Sequence, residues 1–338
     1  MKAQTLLVLL SFVFVTVFAA EVPEYRADLL PVAPIDGAGL VRKVVFSRSQ
    51  PSAYFLLDRE THAVHLVQPG GTRLIGGIGN APGELYYPFD LAVGDGDRLY
   101  IKDGGNRRIQ ILGENGHFLG EFPDLPKSEG MGVDNRGDIF IGQPATGHLI
   151  SVYDRTGKKL AAFGELLSPA ALYPQLKAHE TAYQTAINRV RIAVDDEDNV
   201  WVAFIHAPIV RKYDRSGRLL TQQTLRLPGI SQLTAAVLQA PPPPRYISQN
   251  FDGIQITMVI REIVFDRKAR QPLLLLGDDS IVCLSRDGVP ERIIRPDLHG
   301  ALLETLAVDN EGTIFTSKFL SAQLLRVVVS EPGKEVRR

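Results

Sequence analysis

The sequence predicts an all-β fold, a six-bladed β-propeller of four-stranded antiparallel blades. Three observations lead there: a strand-turn-strand pattern that recurs six times, Gly-bearing tight turns at fixed places within it, and an N-terminal strand without a unit of its own. The cleanest copy runs Leu91-Ala92-Val93-Gly94-Asp95-Gly96-Asp97-Arg98-Leu99-Tyr100-Ile101, and the other strand pairs begin near Val44, Met131, Arg191, Glu262 and Thr305.

In the second unit the predicted strands are Phe89 to Val93, Arg98 to Lys102, Arg108 to Leu112 and Phe118 to Phe122. Glu114-Asn115-Gly116 joins the last two, because Asn-Gly readily takes the positive φ of a hairpin turn. The same turn returns at Asp154 to Gly157, Asp214 to Gly217 and Arg286 to Gly288. Units of about 40 residues with four strands cannot bury both faces alone and must stack around an axis. The last unit has strands near Leu306, Ile314 and Leu325 but no fourth, while Tyr25 to Val32 is unassigned. Pairing the two closes the ring and removes an exposed edge.

Composition narrows the function classes. The 37 Lys plus Arg residues balance 38 Asp plus Glu, so no global field favours nucleic acid or an anionic membrane. Lys2, the apolar run Thr5 to Phe18 and Val17-Phe18-Ala19 predict a signal peptide over residues 1–20, with cleavage expected after Ala19 or Ala20. Residues 21–330 are then expected to form one propeller and 331–338 a charged tail. The expected location is secreted or periplasmic. Cys283, the single cysteine, cannot form an intramolecular disulfide and reads as a buried inert thiol.

Pro88 and Leu91-Ala92-Val93, followed by Leu99-Tyr100-Ile101-Lys102-Asp103-Gly104-Gly105-Asn106-Arg107-Arg108-Ile109-Gln110-Ile111, resemble an NHL repeat. Asp103, Asn106 and Arg108 match that family's motif, and Arg107 stands where the family has histidine. The resemblance is specific over this blade and weaker over the third, with Gly142 and His148, and the fourth, with Phe204 and His206. It implies a propeller, a fold that hosts many unrelated activities. The residues themselves read as scaffold: Asp103 pairing with Arg108, and Asn106 making a turn. Asp134, Asp195, Asp198 and Asp309 read as turn formers; the run Asp195 to Asn199 lacks the glycine and distal glutamate of a calcium loop.

Two insertions break the period, Leu166 to Asn188 and Gly229 to Gln255. Each connects a fourth strand to the next first strand, so both are expected as short helical segments capping one mouth of the channel. Leu172, Leu176, Tyr183 and Ile187 have helical spacing with Pro174 in a first turn, and Ser231 is placed as N-cap before Leu233 and Val237. Their apolar sides either cover the blade rims or form a site. The same face receives the loops bearing His62, Arg107, His148, His206, Lys318 and Phe319.

Enzyme signatures are missing from the sequence. There is no Glu-Gly-Pro of the lactonase-like propellers, no Gly-x-Ser-x-Gly elbow, and Gly77-Ile78-Gly79 leads into a strand instead of a phosphate-binding helix. No catalytic residue, metal site or cofactor is assigned. The reading is a monomeric, exported binding module for protein or polysaccharide, without nucleic-acid or membrane contacts after signal cleavage. Its expected binding residues are His62, Arg107, His148, Tyr173, Tyr183, His206, Tyr246 and Phe319. The alternative is a metal-dependent hydrolase or lyase with diverged ligands.

Overall fold

Aliphatic and β-branched residues concentrate in the first three strands of each repeat, and these are the strands that the fold buries. The computed structural model describes residues 22–124, 128–237, 257–298, 300 and 302–330. After β1 (Glu24–Pro31), the first repeat forms β2 (Val41–Phe46), β3 (Tyr54–Asp58), β4 (Ala63–Gln68) and β5 (Gly71–Gly76). The second forms β6 (Pro88–Val93), β7 (Leu99–Asp103), β8 (Arg108–Leu112) and β9 (Phe118–Pro123). The third comprises β10 (Glu129–Val133), β11 (Ile139–Gly142), β12 (Ile150–Tyr153) and β13 (Lys159–Phe163), and the fourth β14 (Val190–Val194), β15 (Val200–Phe204), β16 (Ile209–Tyr213) and β17 (Leu219–Thr224). Next come β18 (Ile260–Asp266), β19 (Gln271–Leu276), β20 (Ile281–Leu284) and β21 (Pro290–Pro296), then β22 (Leu303–Val308), β23 (Ile314–Lys318) and β24 (Leu324–Val329).

The first four repeats are separate four-stranded antiparallel sheets. The remaining strands form one eight-stranded sheet, β18-β19-β20-β21-β1-β24-β23-β22. As expected, β1 supplies the missing partner of β24, antiparallel with Ala27 opposite Val329 and Pro31 opposite Leu325. The sequence reading did not anticipate its other edge, which pairs parallel to β21 with Glu24 opposite Ile293. One strand thus splices two repeats and leaves no free edge at the seam. First strands meet in a closed cycle, β2 to β6 to β10 to β14 to β18 to β22 and back to β2. Apolar clusters fill the wedges between consecutive repeats; Phe55, Leu57, Leu91 and Ile101 fill the first, and Tyr100, Ile109, Met131 and Ile141 the next.

The turns follow the side-chain chemistry read from sequence. Asp134 Oδ1 accepts the N–H groups of Arg136 and Asp138, and Asp309 Oδ1 those of Glu311 and Thr313. Asp195 is equally occupied, its oxygens receiving Glu197 N–H, Asn199 N–H and the Trp201 indole N–H.

The first insertion folds as α1 (Pro169–Leu172), a 3₁₀ turn over Pro174–His179 and α2 (Glu180–Ile187). Ser168 caps α1 by accepting the Ala171 N–H, and Asn188 ties the two ends together through Leu167 N–H and C=O. In the second insertion, α3 spans Ile230–Val237. This corrects the expected cap: Ser231 lies inside the helix, which starts behind Gly229 at φ 84°. Residues 238–256, including Tyr246, lie outside the described residues, as do residues 1–20 and 331–338 of the expected signal peptide and tail. Among the described residues no helix is long and apolar enough to cross a membrane.

Candidate functional site

Five of the first strands, β2, β6, β10, β18 and β22, carry a β-bulge near their start, a device that re-aims side chains beside a channel. Around these bulges, and at the start of β14, charged residues crowd the channel mouth. Lys43 Nζ lies 2.6 Å from Glu262 and 3.9 Å from Asp90, Arg42 pairs with Glu304 at 2.9 Å, and Arg191 with Glu129 at 2.8 Å. Arg189 also bonds Glu129, and Arg261 joins Asp279 at 2.6 Å. Five basic groups therefore meet five carboxylates. Burial alone would raise Glu129, yet Arg191 and Arg189 hold its carboxyl at about 2. Burial likewise opposes ionisation of Glu262, which Lys43 and Arg191 keep below its ordinary value. Glu304 goes the other way, raised by burial against the pull of Arg42. A mouth so neutralised is closed by internal ion pairs and has little net charge to offer a substrate.

The NHL-like residues form a scaffold beside it. Asp103 Oδ2 accepts Arg108 Nε and Asn106 Nδ2, both at 2.8 Å, while Asp103 Oδ1 accepts the Tyr86 N–H at 2.6 Å. Arg108 also donates to the carbonyls of Ala81 and Glu84. The trio thus fastens the connection between the first two repeats. Asp58 does the same in the first repeat, accepting N–H bonds from Gly39, Leu40 and Thr61 and facing His65 at 3.2 Å.

The expected binding residues divide between two halves of this face. On the insertion half, Tyr173 and Tyr183 are buried in the cluster that joins Leu176, Ile187, Ile230 and Ile260. As contact groups for a ligand they are corrected to packing groups, because the insertion's apolar side had to be covered. His206 is buried too; its ring Nδ1 faces the Thr257 carbonyl at 3.1 Å, and its own carbonyl accepts the Tyr173 hydroxyl at 2.6 Å. Burial lowers the imidazole pKa to about 4, so the ring is neutral at pH 7. His148 is exposed on the turn after β11.

On the other half, the turns after β3, β7 and β23 place His62, Arg107 and Leu320 in left-handed backbone conformation, at φ 54°, 54° and 55°. Non-glycine residues rarely adopt it. Arg107 is exposed and Phe319 is half exposed, its N–H bonded to Leu302 C=O. His62 is covered by two tyrosines that sequence reasoning missed as site residues. Its ring stacks on Tyr86 at 5.4 Å and meets Tyr87 edge-on at 4.8 Å, and its Nδ1 accepts the Tyr87 N–H at 2.8 Å. Tyr86 and Tyr87 pack at 4.6 Å yet remain 40 % and 50 % exposed. Their signal was present in Tyr86-Tyr87-Pro88, paired aromatics directly before a first strand on the face already singled out. Among the described residues, no three His, Cys, Asp or Glu side chains gather as a metal requires, and His62, His148 and His206 form no such group.

Radial sheets around a common axis define a β-propeller, and comparison with solved structures agrees. The chain is similar to a streptogramin B lyase (TM-score 0.52, 12 % identity, covering 90 % of this chain and 97 % of that one). It is also similar to virginiamycin B lyase from Staphylococcus aureus (TM-score 0.54, 11 % identity, covering 89 % and 98 %) and to a catalytically inactive variant of that enzyme with quinupristin (TM-score 0.53, 10 % identity, covering 90 % and 99 %). Identities this low establish the fold alone. In sequence the chain is 27 % identical over 135 residues to Protein brain tumor of Drosophila melanogaster, 37 % of this chain and 13 % of that protein's length. No protein-family model matches.

Proposed function

We propose that this chain is an exported, monomeric, six-bladed propeller of NHL type that binds a protein or polysaccharide ligand through the half-face bearing Tyr86, Tyr87, His62, Arg107 and Phe319. The exposed tyrosine pair carries this reading. Partly exposed aromatic rings braced by the His62 ring are suited to contacts with sugar rings or an apolar side chain. The blade count rests on the closed cycle of first strands. Export rests on the N-terminal apolar run, and recovery of a mature chain beginning at residue 20 or 21 from the periplasm or medium would support it.

Screening the mature protein on glycan and peptide arrays, with Tyr86→Ala and Tyr87→Ala beside it, tests the reading. Loss of binding by about tenfold or more at an unchanged melting midpoint is expected. No binding on either array, or binding indifferent to both substitutions, would overturn it.

A lyase-like activity is the second reading, favoured by the likeness in fold and by the raised pKa of Glu304 in the mouth. Incubation with quinupristin, followed by chromatography, decides it. Conversion that Glu304→Gln abolishes would favour catalysis, and unchanged quinupristin would remove that support.

A further inference from the structure

The channel's other end, where the hairpin turns between first and second strands emerge, is built differently. A cavity of about 150 Å³ lies on the axis there. Its wall comes from every first strand and is mixed: Val45, Val93, Val133, Val194, Phe265 and Val308 line it together with backbone groups on the strands' inner edges, which have no ladder partner. Lys43 closes its inner end, but that ammonium is held by Glu262 and Asp90. At the outer rim stand Arg48 and Arg267.

These two guanidinium groups differ from the arginines at the mouth. Arg48 donates to the Val133 carbonyl at 3.1 Å and to Asn135 Oδ1 at 3.3 Å, both neutral acceptors. Among the described residues Arg267 has no hydrogen bond or ion pair, although one side of it is buried in the rim. Burial, then the charge of Arg267, lowers Arg48 to about 10, as expected of like charges facing a shared space. None of the neighbouring acids forms an ion pair with either guanidinium among the described residues. Asp309, also on the rim, turns its Oδ1 to the N–H groups of Glu311 and Thr313. Asp134 is paired with Arg215, Asp97 accepts the Ser47 and Ser49 hydroxyls, and Asp198 accepts the Asn135 N–H. Asp95, exposed, completes the acidic groups that act on Arg48.

We propose that this axial cavity binds a small organic carboxylate, with a body of about one ring against the valines of the first strands and its charge between Arg48 and Arg267. A cavity of about 150 Å³ has the volume of a benzene-sized group. Arginine is the side chain whose planar donor fork matches a carboxylate. The site lies opposite the tyrosine half-face and does not depend on what that face binds.

Titration calorimetry with the mature protein separates the requirements. Benzoate is the probe, benzamide lacks its charge and inorganic phosphate lacks its body. Benzoate is expected to bind at one per chain, with benzamide and phosphate each weaker by about tenfold or more, the scale of one charge-assisted hydrogen bond. Arg267→Gln, which removes no internal contact among the described residues, should weaken benzoate by a similar factor at an unchanged melting midpoint; Arg48→Gln should weaken benzoate as well, with a lowered midpoint because its bonds to Val133 and Asn135 go with it. Absence of benzoate binding at millimolar concentration, equal affinity for benzamide or phosphate, or indifference to Arg267→Gln would each overturn the proposal.

Discussion

The two ends of the channel use the same residue types in opposite ways. At the mouth, arginines and lysine meet carboxylates at 2.6 to 2.9 Å in a largely buried cluster, and at the turn end Arg48 and Arg267 face the axial cavity without a carboxylate partner. Around the rim of the turn face, ion pairs such as Lys268 with Glu311 are exposed over more than half of each side chain. Burial decides what each pair contributes. A buried pair is strongly destabilising to break from one side, because the remaining charge is stranded, whereas an exposed pair trades protein contacts for water.

The largest test breaks the ring on which both ends depend. Deleting residues 21–31 removes β1 and with it the ladders to β24 and β21, and loss of a cooperative melt is expected. A truncated chain that melts like the parent would show that the seam is not what holds the ends in register.

Glu129→Ala comes next. It strands Arg191 at the mouth and should cost about 3–5 kcal/mol in urea unfolding. A loss under about 1 kcal/mol would mean that the mouth is not closed by charge compensation.

Acid gives a comparable but graded effect. His206 has a folded pKa of about 4 against 6.5 when unfolded, so the unfolded chain binds the extra proton as pH falls below 6.5. Stability should decline between pH 6.5 and 4 by roughly 3 kcal/mol, and His206→Gln should flatten that slope. Glu129 adds a second loss, present above 4.5 and removed as pH falls toward 2. A melting midpoint constant from pH 7 to 4.5 would contradict the buried neutral imidazole.

The smallest effect belongs to the exposed rim. Lys268→Ala is expected to change stability by no more than about 0.5 kcal/mol, a loss that 1 M salt should reduce. A larger value would erase the contrast between buried and exposed pairs.

Much of this architecture is local and therefore legible in sequence. The strand pattern, the Asp and Gly turns and the unpaired fourth position of the last repeat each depend on residues close in the chain, and the predicted strands of the second repeat differ from the observed ones by one residue at most. The role of Asp103, Asn106 and Arg108 was legible for the same reason, since the outermost two are five positions apart.

Tertiary structure alone decided the rest. Arg42 and Glu304 are 262 positions apart, and Lys43 and Glu262 are 219 apart; only ring closure brings such residues together. The parallel pairing of β1 with β21 has the same origin. Helical spacing at Tyr173 and Tyr183 revealed an apolar side but not what would cover it, and the answer was the neighbouring repeats rather than a ligand. Sequence determined which groups the repeats would present, because turns and strands are set by near neighbours; closure around an axis determined which charges would be paired, because that depends on distances no linear spacing contains.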